Sequence, residues 1–228
     1  MRGDLGAVVK AILLDEEARN LKRLNDPTWG MLREPFVRYT QLMRSFQAFS
    51  DTDEYYVDGY ETIELLKQYP FHAPSVFNFF SPNYQPPGAL KNVNLVAPEF
   101  QIMTAVTAIS TINLWENTLF RDTAVEISPP QCEPMDEDEN GDEIIDEAAC
   151  ERAYDENAIY FNFDHEYDLA HFPEELLEHL DLVLTYGTLS PKTKQIILDA
   201  ITPLDDVEDR VRMAVYLMMI SPEYAVLT

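Results

Sequence analysis

PEFQIMTAVTAISTINLWENTLFR, residues 98–121, is the stretch that decides the fold. Pro98 suits a first helical turn, where its missing N–H is one of the orphans anyway. Phe100, Met103, Val106, Ile109, Ile112, Leu114, Trp115 and Leu119 then spread apolar surface over much of a helical circumference. A helix that is apolar on most sides is a buried one. The reading predicts the longest helix of the chain, roughly Glu99 to Arg121, at its centre.

Working outward, the chain on both sides is helical as well. Towards the amino terminus, Leu5, Val8, Val9, Ile12 and Leu13 fall at i, i+3, i+4, i+7 and i+8 behind Asp4, a good N-cap. A connection with Pro27 and Gly30 leads to a second helix entered through Pro35, whose buried side is read as Phe36, Tyr39, Leu42, Met43 and Phe46. A short helix is expected at about Glu61 to Tyr69. Between Pro70 and Pro98 six prolines break regular structure, yet the stretch holds Phe71, Phe77, Phe79, Phe80 and Tyr84. Such a loop is predicted to be ordered and packed on the helices, since these rings are costly to expose together.

Past the central helix, residues 125–165 form an acidic insert in which Tyr160 to Phe163 could make one short strand. Three helices follow. One runs from Pro173 to Tyr186 and stops at Gly187. The next is capped by Ser190 with Pro191 at its first position, and the last begins at Asp205 with Glu208 three residues on, resembling a capping box. The fold class is therefore mainly α: an irregular multi-helix bundle, read as a single domain over 1–228, with a long proline- and aromatic-rich ordered loop and an acidic insert.

The formal charge is −25 in 228 residues. That excludes non-specific binding to nucleic acid or an anionic membrane surface, which this charge would repel. Twelve acids between Glu133 and Glu156 face only Arg152, so this segment carries eleven of the net negative charges. No apolar run reaches the roughly 20 residues of a membrane span, and Met1 to Asp4 leads into an amphipathic helix without the apolar core of an export signal.

Several stretches closely resemble one bacterial family, the domain of unknown function 1800. They are Arg2 to Asp15, Leu32-Arg33-Glu34-Pro35, Pro74 to Tyr84 with Pro86-Pro87, Ala97-Pro98-Glu99-Phe100, and the end from Arg210 to Ser221-Pro222-Glu223-Tyr224. The likeness covers nearly the whole chain except about 125–165. It implies a longer native protein, with these motifs in its later half, a large preceding part and, in many members, an export signal. It brings no established activity and no catalytic residues.

The sharpest local pattern is Asp136 to Glu147, which satisfies the twelve-residue EF-hand loop. Asp136, Asp138 and Asn140 offer side-chain oxygens, Asp142 its backbone carbonyl, Gly141 the sharp turn, and Glu147 a bidentate carboxylate. Glu143 stands where an aliphatic residue is usual, and Pro129, Pro130 and Pro134 forbid a normal incoming helix. A weak calcium site and a merely solvated acidic loop both fit. Cys132 and Cys150, the only cysteines, bracket this loop. A disulfide between them would stabilise by about 3 kcal/mol on the chain-entropy argument and would imply an oxidising compartment: periplasm, cell surface or secretion. Two unrelated thiols are the alternative. His165, His171 and His179, with Asp164, Glu166 and Asp168, match no zinc spacing and are expected to serve on the surface or as caps.

Two functions stay open at this level. One is an exported or cell-surface interaction or structural component, with a protein partner and the preceding part of its own chain. The other is a hydrolase-type enzyme completed by that preceding part. A polar cluster of Glu34, His72, Asn78 and Glu99 at the aromatic loop would favour the enzyme. A loop whose polar atoms are spent on its own backbone would favour the interaction component.

Overall fold

Most of the helices begin where a short oxygen-bearing side chain or a proline can close the first turn. The structure, a computed structural model, describes residues 3–20, 22, 26, 28–50, 65–120, 136–137, 143–144 and 159–227. In chain order the helices are α1 (Leu5–Leu13), α2 (Glu16–Arg19), α3 (Pro35–Ser45), α4 (Ala89–Asn92), α5 (Ala105–Phe120), α6 (Asp164–Leu169), α7 (Pro173–Leu180), α8 (Pro191–Ile201), α9 (Val207–Met219) and α10 (Pro222–Ala225). Strands β1 (Met31–Leu32) and β4 (Val226–Leu227) pair antiparallel, as do β2 (Asp136–Glu137) and β3 (Glu143–Ile144). The fold is mainly helical, as the periodicity predicts.

The caps explain the boundaries. Asp4 Oδ1 accepts from the Ala7 N–H, Ser190 Oγ from Thr193 N, and Ser221 Oγ from Tyr224 N. The last long helix starts one residue later than the capping-box reading of Asp205: Asp206 accepts from both Glu208 N and Asp209 N. The central stretch is also corrected. Pro98 opens only a 3₁₀ turn, Pro98–Gln101, and the α-helix starts at Ala105. Thr104 and Thr107 set that start by reciprocal hydrogen bonds. The Thr107 N–H donates to Thr104 Oγ1 and the Thr104 N–H to Thr107 Oγ1, a capping box built from two threonines.

Nor is α5 the centre. It buries Leu114, Trp115 and Leu119 but leaves Val106 and Ile109 in solvent. The helix surrounded on its apolar face is α9, whose Val211, Ala214, Val215, Met218 and Met219 are wholly buried. Leu176, Leu177 and Leu180 of α7, Ile197 and Ile201 of α8, Tyr39 and Leu42 of α3, and Phe46 just past its end belong to the same cluster. Within it Tyr39 stacks on Trp115, ring centroids 6.1 Å apart. Phe46 meets Phe163 at 4.7 Å, while Phe49 and Tyr160 form an isolated antiparallel bridge where a short strand is predicted.

Helix α7 runs on into a π-helical turn, Asp181–Thr185, ended by Tyr186 in the left-handed region (φ 60°) and Gly187 at φ 77°. Buried Asp181 holds this turn. Its carboxylate accepts from Leu189 N, Thr185 Oγ1 and, at 2.8 Å, Lys194 Nζ. Desolvation pushes the Asp181 carboxyl up, but the hydrogen bonds from Lys194, Thr185 and Leu189 outweigh it and leave it below the ordinary carboxylate range.

The loop between Pro70 and Pro98 is tied by its own hydrogen bonds. Ala97 N donates to Tyr84 O, Ser81 N to Gln101 Oε1, and Gln85 Nε2 to Asn94 Oδ1. Only some of its rings pack as predicted: Phe79, Phe80 and Tyr84 are half-buried, while Phe71 and Phe77 stand in solvent. One backbone bond and two bonds through amide side chains hold the loop, without a ring-filled core.

Candidate functional site

The two-residue ladder β1–β4 joins two distant stretches of the chain. Met31 faces Leu227, Leu32 faces Val226, and the Arg33 N–H donates to the Ala225 carbonyl at 2.8 Å. This pairing sets the Arg33 guanidinium between two rings, 5.3 Å from the Tyr186 centroid and 5.0 Å from that of Tyr224. Both terminal nitrogens of Arg33 reach the Leu184 carbonyl at 3.4 Å, and Nη1 also donates to Gln41 Oε1. Gln41 Nε2 donates to the same carbonyl at 3.2 Å. Leu184 lies in the π turn, so its carbonyl is one of the helix-end acceptors that need an outside donor.

Arg38 lies one turn into α3, on the face that buries Pro35, Tyr39 and Leu42. Its carbonyl accepts the Tyr224 hydroxyl at 2.7 Å. Arg33 is 3% and Arg38 5% exposed. Nε of both and Nη2 of Arg38 are enclosed without a hydrogen-bond partner. Among the described residues no carboxylate forms an ion pair with either one. Desolvation lowers the pKa of both, and the Arg33 charge lowers that of Arg38 further, yet a guanidinium keeps its proton in proteins. Two buried positive charges therefore lie close together without a counter-charge among the described residues. Arg210 is the contrast, since its nitrogens are taken up by the carbonyls of Ala170, Ile201 and Leu204.

A surface pocket of about 410 Å³ opens over Arg33. Thr40, Gln41 and Arg44 of α3 line one side, Val183 and Tyr186 of the π turn the other. Arg44 and Tyr186 are exposed, so the pocket has a positive floor, a positive rim and one aromatic wall.

Glu34 points to a different neighbourhood from Arg33. Its Oε2 accepts from Asn78 Nδ2 at 3.1 Å and from Gln68 Nε2, and Gln68 Oε1 accepts the Phe36 N–H. His72 does not join them. Its Nδ1 lies 2.9 Å from the Pro70 carbonyl, and its ring lies against Tyr69. Ser75 and Ser110 donate their hydroxyls to backbone carbonyls, of Asn78 and of Leu65 and Thr107. The stretches 32–35, 74–84 and 221–224, far apart in sequence, thus meet around one dipeptide, Arg33-Glu34.

Over residues 1–226 the chain matches the family described as Protein of unknown function (DUF1800). It belongs to that family. No curated protein and no solved structure matches the chain. No described helix of this DUF1800 domain is long and apolar enough to cross a membrane.

The site residues read from the sequence lie mostly outside the described residues. Cys132, Asp138, Asn140, Asp142, Glu147 and Cys150 are all there. Only the backbone of Asp136 is described, facing Ile144 across the β2–β3 ladder, with Glu137 facing Glu143. The histidines are partly assembled. His179 Nε2 lies 2.8 Å from buried Glu166 Oε1, and His165 meets the His179 ring edge-on at 4.7 Å. Among the described residues no group of three or more His, Cys, Asp or Glu is placed to hold a metal.

The sequence reading missed the arginines, although a signal existed. Pro35, Arg38, Tyr39 and Leu42 follow i, i+3, i+4, i+7, so Arg38 falls on the apolar stripe of its own helix.

Proposed function

We propose that this DUF1800 domain is a non-enzymatic interaction and structural component of an exported or cell-surface protein, and that the bare face of α1 seats the preceding part of the same polypeptide. The observation that carries this reading is α1 itself. Leu5, Val8, Val9, Ile12 and Leu13 form one apolar stripe, and every one of them is more than half exposed. A contiguous apolar face of this kind marks an interaction surface. The resemblance to longer proteins supplies the occupant.

The hydrolase reading draws less support. Glu34 and Asn78 do meet, but His72 is turned onto a backbone carbonyl and Glu34 is engaged by two amides. That arrangement pairs no base with a nucleophile. The export component of the proposal rests on Cys132 and Cys150, and alkylation of the unreduced native protein checks it, a bridged pair giving no labelled cysteine.

Hydrogen exchange tests the α1 reading. The 1–228 polypeptide is compared with the product of its full reading frame. Amides of residues 5–14 should exchange much more slowly in the longer protein, and Ile12→Glu should remove that protection. Equal exchange in both would show that α1 seats nothing upstream.

A further inference from the structure

We propose that the pocket over Arg33 binds a small organic oxyanion, a carboxylate or phosphate group carried on a compact apolar or aromatic body. Three independent features point there. The first is a charge that no described acid answers. Arg33, which lines the pocket, is more than nine-tenths buried, its Nε lacks a hydrogen-bond partner and no described carboxylate pairs with it; Arg38, buried behind it and outside the pocket lining, adds a second positive charge with two unpartnered nitrogens. Burying an unpaired charge is costly, so a positive pair of this kind calls for an anion.

The second feature is that Arg33 is held but not saturated. Its two bonds to the Leu184 carbonyl, at 3.4 Å, are longer than ordinary N–H···O bonds. The Tyr186 and Tyr224 rings fix the plane of the guanidinium, which is what a bidentate oxyanion contact needs. Of the acids beside the two paired segments, Glu34 accepts from Gln68 and Asn78, and Glu223 accepts from Ser190 and Thr193 through Oε1 while its buried Oε2 has no hydrogen-bond partner; neither forms an ion pair with Arg33.

Third, the pocket is too large for a bare ion. A volume of about 410 Å³ suits a small organic molecule. Exposed Arg44 can add a second charged contact at the rim, and Tyr186 with Val183 offers a flat apolar wall. The headgroup is set by the arginines and the body by that wall.

Isothermal titration of the folded domain with inorganic phosphate, phenyl phosphate and benzoate tests the proposal. At least one of the two organic anions should bind in the millimolar range or tighter, about tenfold more tightly than inorganic phosphate. Whichever binds better identifies the headgroup. Sodium chloride at matched ionic strength is the control, because a chain of charge −25 is stabilised by screening alone. Arg33→Gln should abolish binding. Should that variant fail to fold, Arg44→Gln and Tyr186→Asn decide: Arg44 is an exposed rim group, and asparagine tolerates the left-handed backbone at 186. Each should weaken binding about tenfold. No saturable heat with any of the three anions, a response matched by sodium chloride, or binding undiminished in both rim and wall variants would each overturn the proposal.

Discussion

Helices α9 and α1 carry apolar residues at the same spacing. In α9 they are Val211, Ala214, Val215 and Met218; in α1 they are Leu5, Val8, Val9 and Ile12. In α9 all four are removed from solvent, while in α1 all four stand in it. The pattern i, i+3, i+4, i+7 states that one face of a helix avoids water. It does not state what covers that face. For α9 the cover comes from α7, α8 and Tyr224 within the same cluster. For α1 no described residue buries that face, and the proposed cover is the preceding part of the polypeptide.

The largest effect that can break the comparison is a pair of truncations. Leu180→Ala, at a wholly buried position, should cost about 2–5 kcal/mol through lost burial and a residual cavity. Leu13→Ala in α1 should cost under about 0.5 kcal/mol, because its side chain already meets water. Urea unfolding of both variants checks this, and similar losses would mean that α1 is packed after all.

A smaller effect sharpens what holds the buried region. Asp181→Asn removes the partner of Lys194 at the π turn and should cost about 2 kcal/mol near neutral pH. The folded-state pKa of Asp181 is depressed, so its stabilisation is present above the ordinary carboxyl range and drains away as pH falls through the folded value. Lys194 is shifted upward, by its hydrogen bonds to Asp181 and Glu178, so its share is lost only as pH rises beyond the ordinary lysine range. Stability profiles of wild type and variant should therefore begin to converge only below about pH 4 and meet once the pH has fallen past the depressed folded value. A constant gap at every acidic pH would contradict the assigned role.

The smallest effect concerns the acidic segment, which belongs to neither class. We propose weak calcium binding by Asp136, Asp138, Asn140, Asp142 and Glu147, with an affinity on the order of 10⁻⁴ to 10⁻³ M. Millimolar calcium should then raise the thermal midpoint by a degree or two, through preferential binding to the folded state. Glu147→Ala should remove the rise and Glu139→Ala should leave it. Identical behaviour of the two variants would reduce the segment to a solvated insertion.

Much of the helical layout was legible. Asp4, Ser190 with Pro191, and Pro35 marked starts that the structure keeps, because capping is a local interaction between a side chain and the next turn. Gly187 marked the end of α7 and its π turn for the same reason. The start of α5 was misplaced because Pro98 satisfies a 3₁₀ turn as readily as an α turn, and the Thr104–Thr107 pair was not read as a cap. The exposure of Phe71 and Phe77 was missed because aromatic content says that burial is favourable, not that a surface exists to supply it. The candidate site was illegible as a site. Arg33 and Tyr224 lie nearly the whole chain apart, and the β1–β4 ladder, with the Tyr224 hydroxyl on the Arg38 carbonyl, brings them together.

By itself, then, the sequence determined the helical class, most helix starts, the concentration of negative charge between Glu133 and Glu156, and the family, since each is written in local spacing or in contiguous residues. Tertiary structure alone decided that α9 rather than α5 is central, that the apolar stripe of α1 is exposed, and that Arg33 and Arg38 lie buried near Tyr224 with no described carboxylate paired to them. Those outcomes depend on which faces meet across the fold, and the packing partner of a face is not encoded in the face.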